Sequence, residues 1–164
     1  MKQQKGFTLI EMILVIALIS SLAMVALAVL NPLEQFKKSN DARRKSDLYQ
    51  IQRALEAYYQ DNGKYPTSTS DFQIQSGGKT ITWGTSWQPY MNIVPKDPGS
   101  PTKFYVYYSP SLANGQTYYI YASLDRGADD PQVCNGGAAC ANVPSGATCG
   151  AVCSFGLSSP NVSP

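Results

Sequence analysis

The sequence predicts an α+β protein in which one long N-terminal helix, half of it transmembrane and half amphipathic, packs on a small antiparallel β-sheet. Three observations carry that prediction. An almost uninterrupted apolar run fills Phe7 to Leu30, apolar residues then recur at three- and four-residue steps up to Asn62, and two short stretches rich in aromatic and β-branched residues lie further on. With 164 residues, 43% hydrophobic and 15% charged, the chain has room for one globular domain and an appended segment. Thirteen basic residues against eleven acidic ones leave a net charge of +2, so no global field would draw nucleic acid, and none is expected as a partner.

Residues 1–6 are polar and basic, with Lys2 and Lys5, and read as a leader. Residues 7–30 follow as a helix of about 36 Å, long enough for a bilayer core of about 30 Å. Fourteen of them are Leu, Ile, Val or Phe, against one acidic residue, Glu11. Their summed insertion free energy of about −4 to −8 kcal/mol outweighs the roughly +3 of one acidic residue at mid-helix. A carboxylate near the start of a span still needs a partner. If the leader is removed between Gly6 and Phe7, the new α-amino group lies one helical turn from Glu11, or opposite the Glu11 of a neighbouring copy. Such a pair would set the stagger between adjacent helices. Ala17, Ser20, Ser21, Ala23, Ala26 and Ala28 are small enough to let helices approach closely in lipid.

Asn31-Pro32 interrupts the run, because proline lacks a backbone donor and pushes its predecessor away from helical angles. Residues 31–62 then read as an amphipathic helix, with Phe36, Leu48, Ile51, Leu55 and Tyr58 on one stripe and Gly63 as its stop. The charged run from Lys37 to Lys45 reads as a solvated helix face, since Glu34, Asp41 and Asp47 interleave with it. Residues 63–153 are expected to form a globular β domain with cysteine-rich C-terminal loops. Its strands are Lys79 to Trp83 and the antiparallel pair Phe104 to Tyr108 and Thr117 to Tyr121, joined by a loop containing Asn114-Gly115. One face of that pair, Phe104, Val106, Tyr108, Tyr118 and Ile120, is expected to cover the helix. Cys134, Cys140, Cys149 and Cys153 are spaced unlike a zinc site and the chain has no histidine, so they read as two disulfides with three pairings open. Residues 154–164, rich in Ser, Pro and Gly, read as a mobile tail.

The stretch Lys5-Gly6-Phe7-Thr8-Leu9-Ile10-Glu11-Met12, followed by the long apolar run, resembles the processing site of type IV prepilins and pseudopilins. The resemblance implies a pilin-like fold and a prepilin peptidase that cuts after Gly6 and N-methylates Phe7. It also implies that Glu11 guides assembly into a helical filament of like copies. The further partners implied are the lipid bilayer and an ATP-driven membrane assembly platform. The implied location is the inner or cytoplasmic membrane, single-pass, with the C-terminal domain outside the cytoplasm in a surface or periplasmic filament. Unlike many members of the family, this chain has no proline between Phe7 and Leu30.

Asn62-Gly63-Lys64-Tyr65-Pro66 and Pro89 to Pro98 also resemble stretches of the major pseudopilins of type II secretion systems. In those proteins a loop after the last strands binds calcium, and Ser123 to Asp130 lies in a similar place. Oxygen ligands from Asp125, Asp129 and Asp130 with backbone carbonyls would suit Ca2+, the one cofactor the resemblance implies. Arg126 and the cysteines that follow depart from the family's loop, and an acidic surface turn is the alternative.

No catalytic constellation is visible: histidine is absent, no serine or cysteine has an evident activating partner, and no glycine loop has phosphate-binding spacing. The chain therefore reads as a structural filament subunit and not as an enzyme. Pro89 to Pro98 favours a secretion pseudopilus over a true pilus or a DNA-uptake filament. The alternative from another class is a secreted or membrane-tethered binding module, such as an adhesin, whose apolar run is an ordinary signal cleaved near Ala26-Leu27-Ala28 or a plain anchor. Against a signal, a 24-residue run exceeds the usual apolar region of 7 to 15 residues. One rule opposes the topology, because Lys37, Lys38, Arg43, Arg44 and Lys45 outnumber Lys2 and Lys5 and would by themselves hold the C-terminal side in the cytoplasm. Four clustered cysteines, which suit an oxidising compartment, outweigh it together with the family's topology.

Overall fold

The computed structural model describes residues 6–164; most of the leader, with Lys2 and Lys5, lies outside the described residues, as do the side chains of Ala28 and Leu30. The chain divides into two compact units, Met1–Phe36 and Lys37–Pro164.

In the first unit, α1 spans Leu9–Leu30, starting two residues later than the expected helix at Phe7. Thr8 sets that boundary: its backbone is extended, and its side chain accepts a hydrogen bond from the amide of Glu11. The helix ends at Asn31, whose left-handed backbone (φ 39°) suits asparagine, and α2, Pro32–Asn62, begins on the proline. Proline is favourable there, because a first-turn residue has no intrahelical acceptor for the N–H that proline lacks. Serines inside the apolar helix bond to it, Ser20 Oγ to the Ile16 carbonyl (2.7 Å) and Ser21 Oγ to the Leu18 carbonyl (2.9 Å). Neither hydroxyl is left to be desolvated unpaired.

In the second unit, α2 buries Leu48, Ile51 and Leu55 of the expected stripe together with Ala54, while Tyr58 is partly buried and Phe36, expected on the same stripe, is 68% exposed. It stops at Gly63, whose φ of 67° favours glycine and whose amide bonds the Tyr59 carbonyl at 2.8 Å. A small antiparallel sheet follows, β1 (Thr67–Ser68), β2 (Ile74–Ser76) and β3 (Lys79–Ile81), in that order. Gly77 and Gly78, both at positive φ, make the two-residue turn between β2 and β3. The expected strand Lys79 to Trp83 is thus shorter and belongs to a sheet of its own.

The second antiparallel sheet has the order β4 (Val106–Tyr108), β5 (Tyr119–Ala122) and β6 (Phe155–Ser158). The β4 and β5 pairing is the expected one, with Tyr107 opposite Ile120 and Val106 opposite Tyr121. The expected face is corrected for β4. Tyr105 and Tyr107 pack with Tyr118 and Ile120 against Leu48, Ile51 and Leu55 of α2, while Val106 and Tyr108 lie on the opposite side with Tyr119, Tyr121 and the cysteines. Both faces are covered, so β4 carries apolar residues on each, and its alternation could not distinguish helix side from cysteine side.

Residues 154–164 are also corrected, since β6 lies in the stretch expected to be a mobile tail. It pairs with the free edge of β5 from Tyr119–Ser158 to Ala122–Phe155, and its Ser158 carbonyl accepts from Gln52 of α2 at 3.3 Å. The pairing of the cysteines is Cys134–Cys140 and Cys149–Cys153, with Cα–Cα distances of 4.8 and 5.3 Å. Both bridges close short loops that cover the outer face of the sheet.

Candidate functional site

The residues expected to direct processing and assembly stand together at the head of α1. Gly6 and Phe7 precede the Thr8 cap and are exposed, Phe7 by 86%. Glu11 occupies the third position of the first turn, where Oε2 accepts from the Thr8 amide at 2.8 Å and from Thr8 Oγ1 at 2.7 Å. In return the Glu11 amide donates to Thr8 Oγ1 at 3.3 Å, completing a reciprocal cap. Thr8 was not among the expected site residues, although Thr-x-x-Glu before an apolar run is the sequence signature of such a cap.

Beyond Glu11 the helix is an apolar cylinder. Leu9–Leu27 is long and apolar enough to cross a membrane, and none of it is buried within the chain. Phe7, Ile10, Leu14 and Val15 line a shallow groove with Glu11 on the same side. A cylinder of this kind is stable only in lipid or against other helices. Among the described residues, the carboxylate at its head takes its hydrogen bonds from Thr8.

The acidic segment after β5 is arranged differently from a ligand cage. Asp125 Oδ1 faces Lys103 Nζ at 2.5 Å and Oδ2 faces Arg44 Nη1 at 2.7 Å. Both oxygens of Asp130 face Lys45 Nζ, at 2.6 and 2.7 Å, and Oδ1 also accepts from the Gln132 amide at 3.0 Å. Asp129 is exposed, and its carbonyl accepts from Arg126 Nη2 at 2.8 Å. Among the described residues no group of three or more His, Cys, Asp or Glu is placed to hold a metal ion. The three aspartates expected as calcium ligands are therefore not brought together.

Arg44 is the hub of this network, 1% exposed. Its Nε and Nη2 meet Asp97 Oδ2 and Oδ1 at 3.0 and 3.2 Å, and its Nη1 reaches Asp41 Oδ1 at 2.9 Å. Burial opposes the charge on Arg44, but the hydrogen bonds and fields of Asp97 and Asp125 outweigh it and raise its pKa. Burial likewise pushes Asp125 and Asp130 upward, yet Lys103 and Arg44 for the first, and Lys45 for the second, hold them below the ordinary value. Asp47, also buried, is raised instead; its hydrogen bond from Tyr105 Oη (2.8 Å) and the field of Arg43 do not offset desolvation.

The solvated face expected for Lys37 to Lys45 is thus corrected for Asp41, Arg44 and Lys45, and for the neighbouring Asp47. The partners that bury three of them, Asp97, Asp125 and Asp130, lie more than fifty residues away in sequence, beyond the reach of helical spacing.

Comparison with known proteins brings two family models to the chain. One, described as type II secretion system (T2SS), protein G, matches residues 31–140, and the other, the prokaryotic N-terminal methylation motif, matches residues 1–27. Three relatives named type II secretion system core protein G are similar to it. The one from Klebsiella pneumoniae is 32% identical over 60% of this chain and 71% of its own length. The one from Vibrio cholerae serotype O1 is 30% identical over 67% and 74%, and the one from Escherichia coli (strain K12) 30% identical over 58% and 67%. No solved structure matches the chain.

Proposed function

The chain belongs to the type II secretion system protein G family, and on that premise we propose that it is a structural subunit of a secretion pseudopilus, anchored through α1 and without enzymatic activity. The observation that carries the reading is the placement of Glu11. It caps, through Thr8, the head of an apolar helix that is not buried over Leu9–Leu27 among the described residues.

Cleavage after Gly6 would free the α-amino group of Phe7 immediately before that cap. Thr8 donates twice to Oε2, and neither of these bonds engages Oε1. An α-ammonium group, of the same subunit or of the one beside it, satisfies both the charge and the hydrogen bond. In a low-dielectric surrounding such a pair is strong, and an unpaired carboxylate is costly. Apolar helices exchange lipid for one another at little cost, so packing decides contact while the charge pair decides register. The second unit, outside the cytoplasm, would form the filament's surface, where disulfides persist.

N-terminal mass spectrometry of the mature protein from its native host tests the reading. A chain beginning at N-methylated Phe7 is expected. An intact leader, or a chain beginning near Asn31, would overturn it in favour of a secreted or tethered binding module. Glu11→Ala is expected to leave the subunit in the membrane and abolish filaments.

A further inference from the structure

The acidic segment between β5 and the first disulfide does not fit the calcium ion that the family resemblance implies. Calcium takes six to eight oxygens at about 2.3–2.6 Å, from carboxylates and inward-turned carbonyls. Here both oxygens of Asp125 and both of Asp130 already face ammonium or guanidinium groups. A divalent ion at Asp125 would stand against the charges of Arg44 and Lys103.

The backbone polarity is also reversed. The turn directs its amides inward, and Asp41 of α2 receives them: Oδ1 accepts from the Asp125 amide at 2.7 Å and Oδ2 from the Arg126 amide at 2.9 Å. Asp41 is 1% exposed, and its Oδ1 also meets Arg44 Nη1 at 2.9 Å. The arrangement is a carboxylate organising N–H groups, where a calcium loop is a cation organising C=O groups. Lys103 completes the closure by donating to the Ser123 carbonyl at 3.4 Å, and Lys45 fixes the far end through Asp130.

We propose that Arg44, Lys45 and Lys103 stand in this chain where a bound metal ion would otherwise be needed, so that the segment from Ser123 to Gln132 closes on α2 without calcium. The three cations come from two elements, α2 and the strand-entry loop before β4, so the contact ties the segment to both. Nothing in this depends on the assembly role, and failure of either reading leaves the other standing.

The test is thermal unfolding of the full-length chain in detergent, followed by the fluorescence of its two tryptophans, Trp83 and Trp87, both in the second unit. Melts are compared in excess EGTA, in 10 mM magnesium chloride and in 10 mM calcium chloride. The last is at least about ten times the dissociation constant of extracellular calcium modules. Expected is a Tm in calcium within about 1 °C of that in magnesium and in EGTA. Lys103→Met and Lys45→Met, both at partly exposed positions, are expected to lower Tm by about 3 °C or more in every buffer. A calcium-specific rise of more than about 3 °C in the parent protein would overturn the proposal. So would a Lys103→Met variant that melts with the parent.

Discussion

Arg44 grips Asp97, fifty-three residues further along the chain, through two parallel hydrogen bonds of 3.0 and 3.2 Å, with both side chains at 1% exposure or less. A guanidinium meeting a carboxylate edge-on is the strongest arrangement such a pair can take. It fixes α2 to the loop that carries Asp97, and the same loop is held from within, since Asp97 Oδ1 accepts from the Gly99 amide at 2.7 Å.

Arg44→Met should therefore be severe. It strands Asp97 and Asp41 as buried charges, and losing one partner of a buried pair costs about 3–5 kcal/mol. Urea unfolding followed by tryptophan fluorescence should show a midpoint lowered accordingly. Arg44→Lys keeps the charge but loses the fork, so its midpoint should fall between the two.

Acid should act through the same network. Asp125 and Asp130 have folded-state pKa values below the ordinary 3.8, so they add stability that is present above that value and lost as pH falls through 3.8 toward their folded values. Asp47 runs the other way, because its raised pKa makes its charge a cost at neutral pH that protonation relieves. Urea midpoints should accordingly hold or rise slightly from pH 6 to just above 3.8 and drop below it. In Lys45→Met the drop should shrink, since Asp130 loses the foremost of the groups that lower its pKa and keeps only the Gln132 amide and the field of Arg126.

Two glycines separate strain from overlap. Gly150 (φ 77°) and Gly146 (φ 84°) both sit where a side chain is disfavoured, but a Cβ on Gly150 would run into the Thr102 carbonyl while one on Gly146 meets open space. Gly146→Ala should cost about 1–2 kcal/mol from backbone alone. Gly150→Ala should cost a further 1–3 kcal/mol or so from overlap, read as a larger fall in urea midpoint.

Removing Thr8 should disturb assembly more than insertion. Thr8→Val deletes the side-chain acceptor for the Glu11 amide and one of the two donors to its carboxylate, a cap of about 1 kcal/mol. Membrane fractionation should show unchanged anchoring, and the yield of sheared filaments should fall. Thr8→Ser, which keeps the hydroxyl, should restore it.

Reduction probes the outer face of the sheet. The bridges span sequence separations of six and four residues, and loops this short contribute about 2 kcal/mol each in the chain-entropy account. Urea midpoints under dithiothreitol should fall by an amount matching one or both. Cys149→Ser with Cys153→Ser should assign the share of the second.

The helices were readable because their signals are local: the apolar run, Asn31-Pro32, the spacing from Leu48 to Leu55 and the stop at Gly63 all act within a turn or two. The prepilin-like motif was readable for the same reason, and so, by its Thr-x-x-Glu pattern, was the cap that was overlooked. What escaped depends on contacts far apart in sequence. Nothing near Arg44 announces Asp97 or Asp125, so its charge looked solvated. Val106 and Tyr107 are both fully buried, so neither marks the helix side of β4. The last stretch looked unstructured by its Ser and Pro, yet Phe155 and Leu157 alternate with small residues as a short strand does, and the unpaired edge of β5 supplied the template.

That edge of β5 sets an order of events. β5 ends at Ala122 and β6 is not complete until Ser158. At synthesis rates of about 5–20 residues per second, the interval is roughly two to seven seconds. During it β5 presents bare amides and carbonyls to whatever other nascent chain is near. The cysteines are made inside the same interval, all after β5 and all before β6. Neither bridge lies along that edge, since both cover the outer face of the sheet, so only β6 itself closes it.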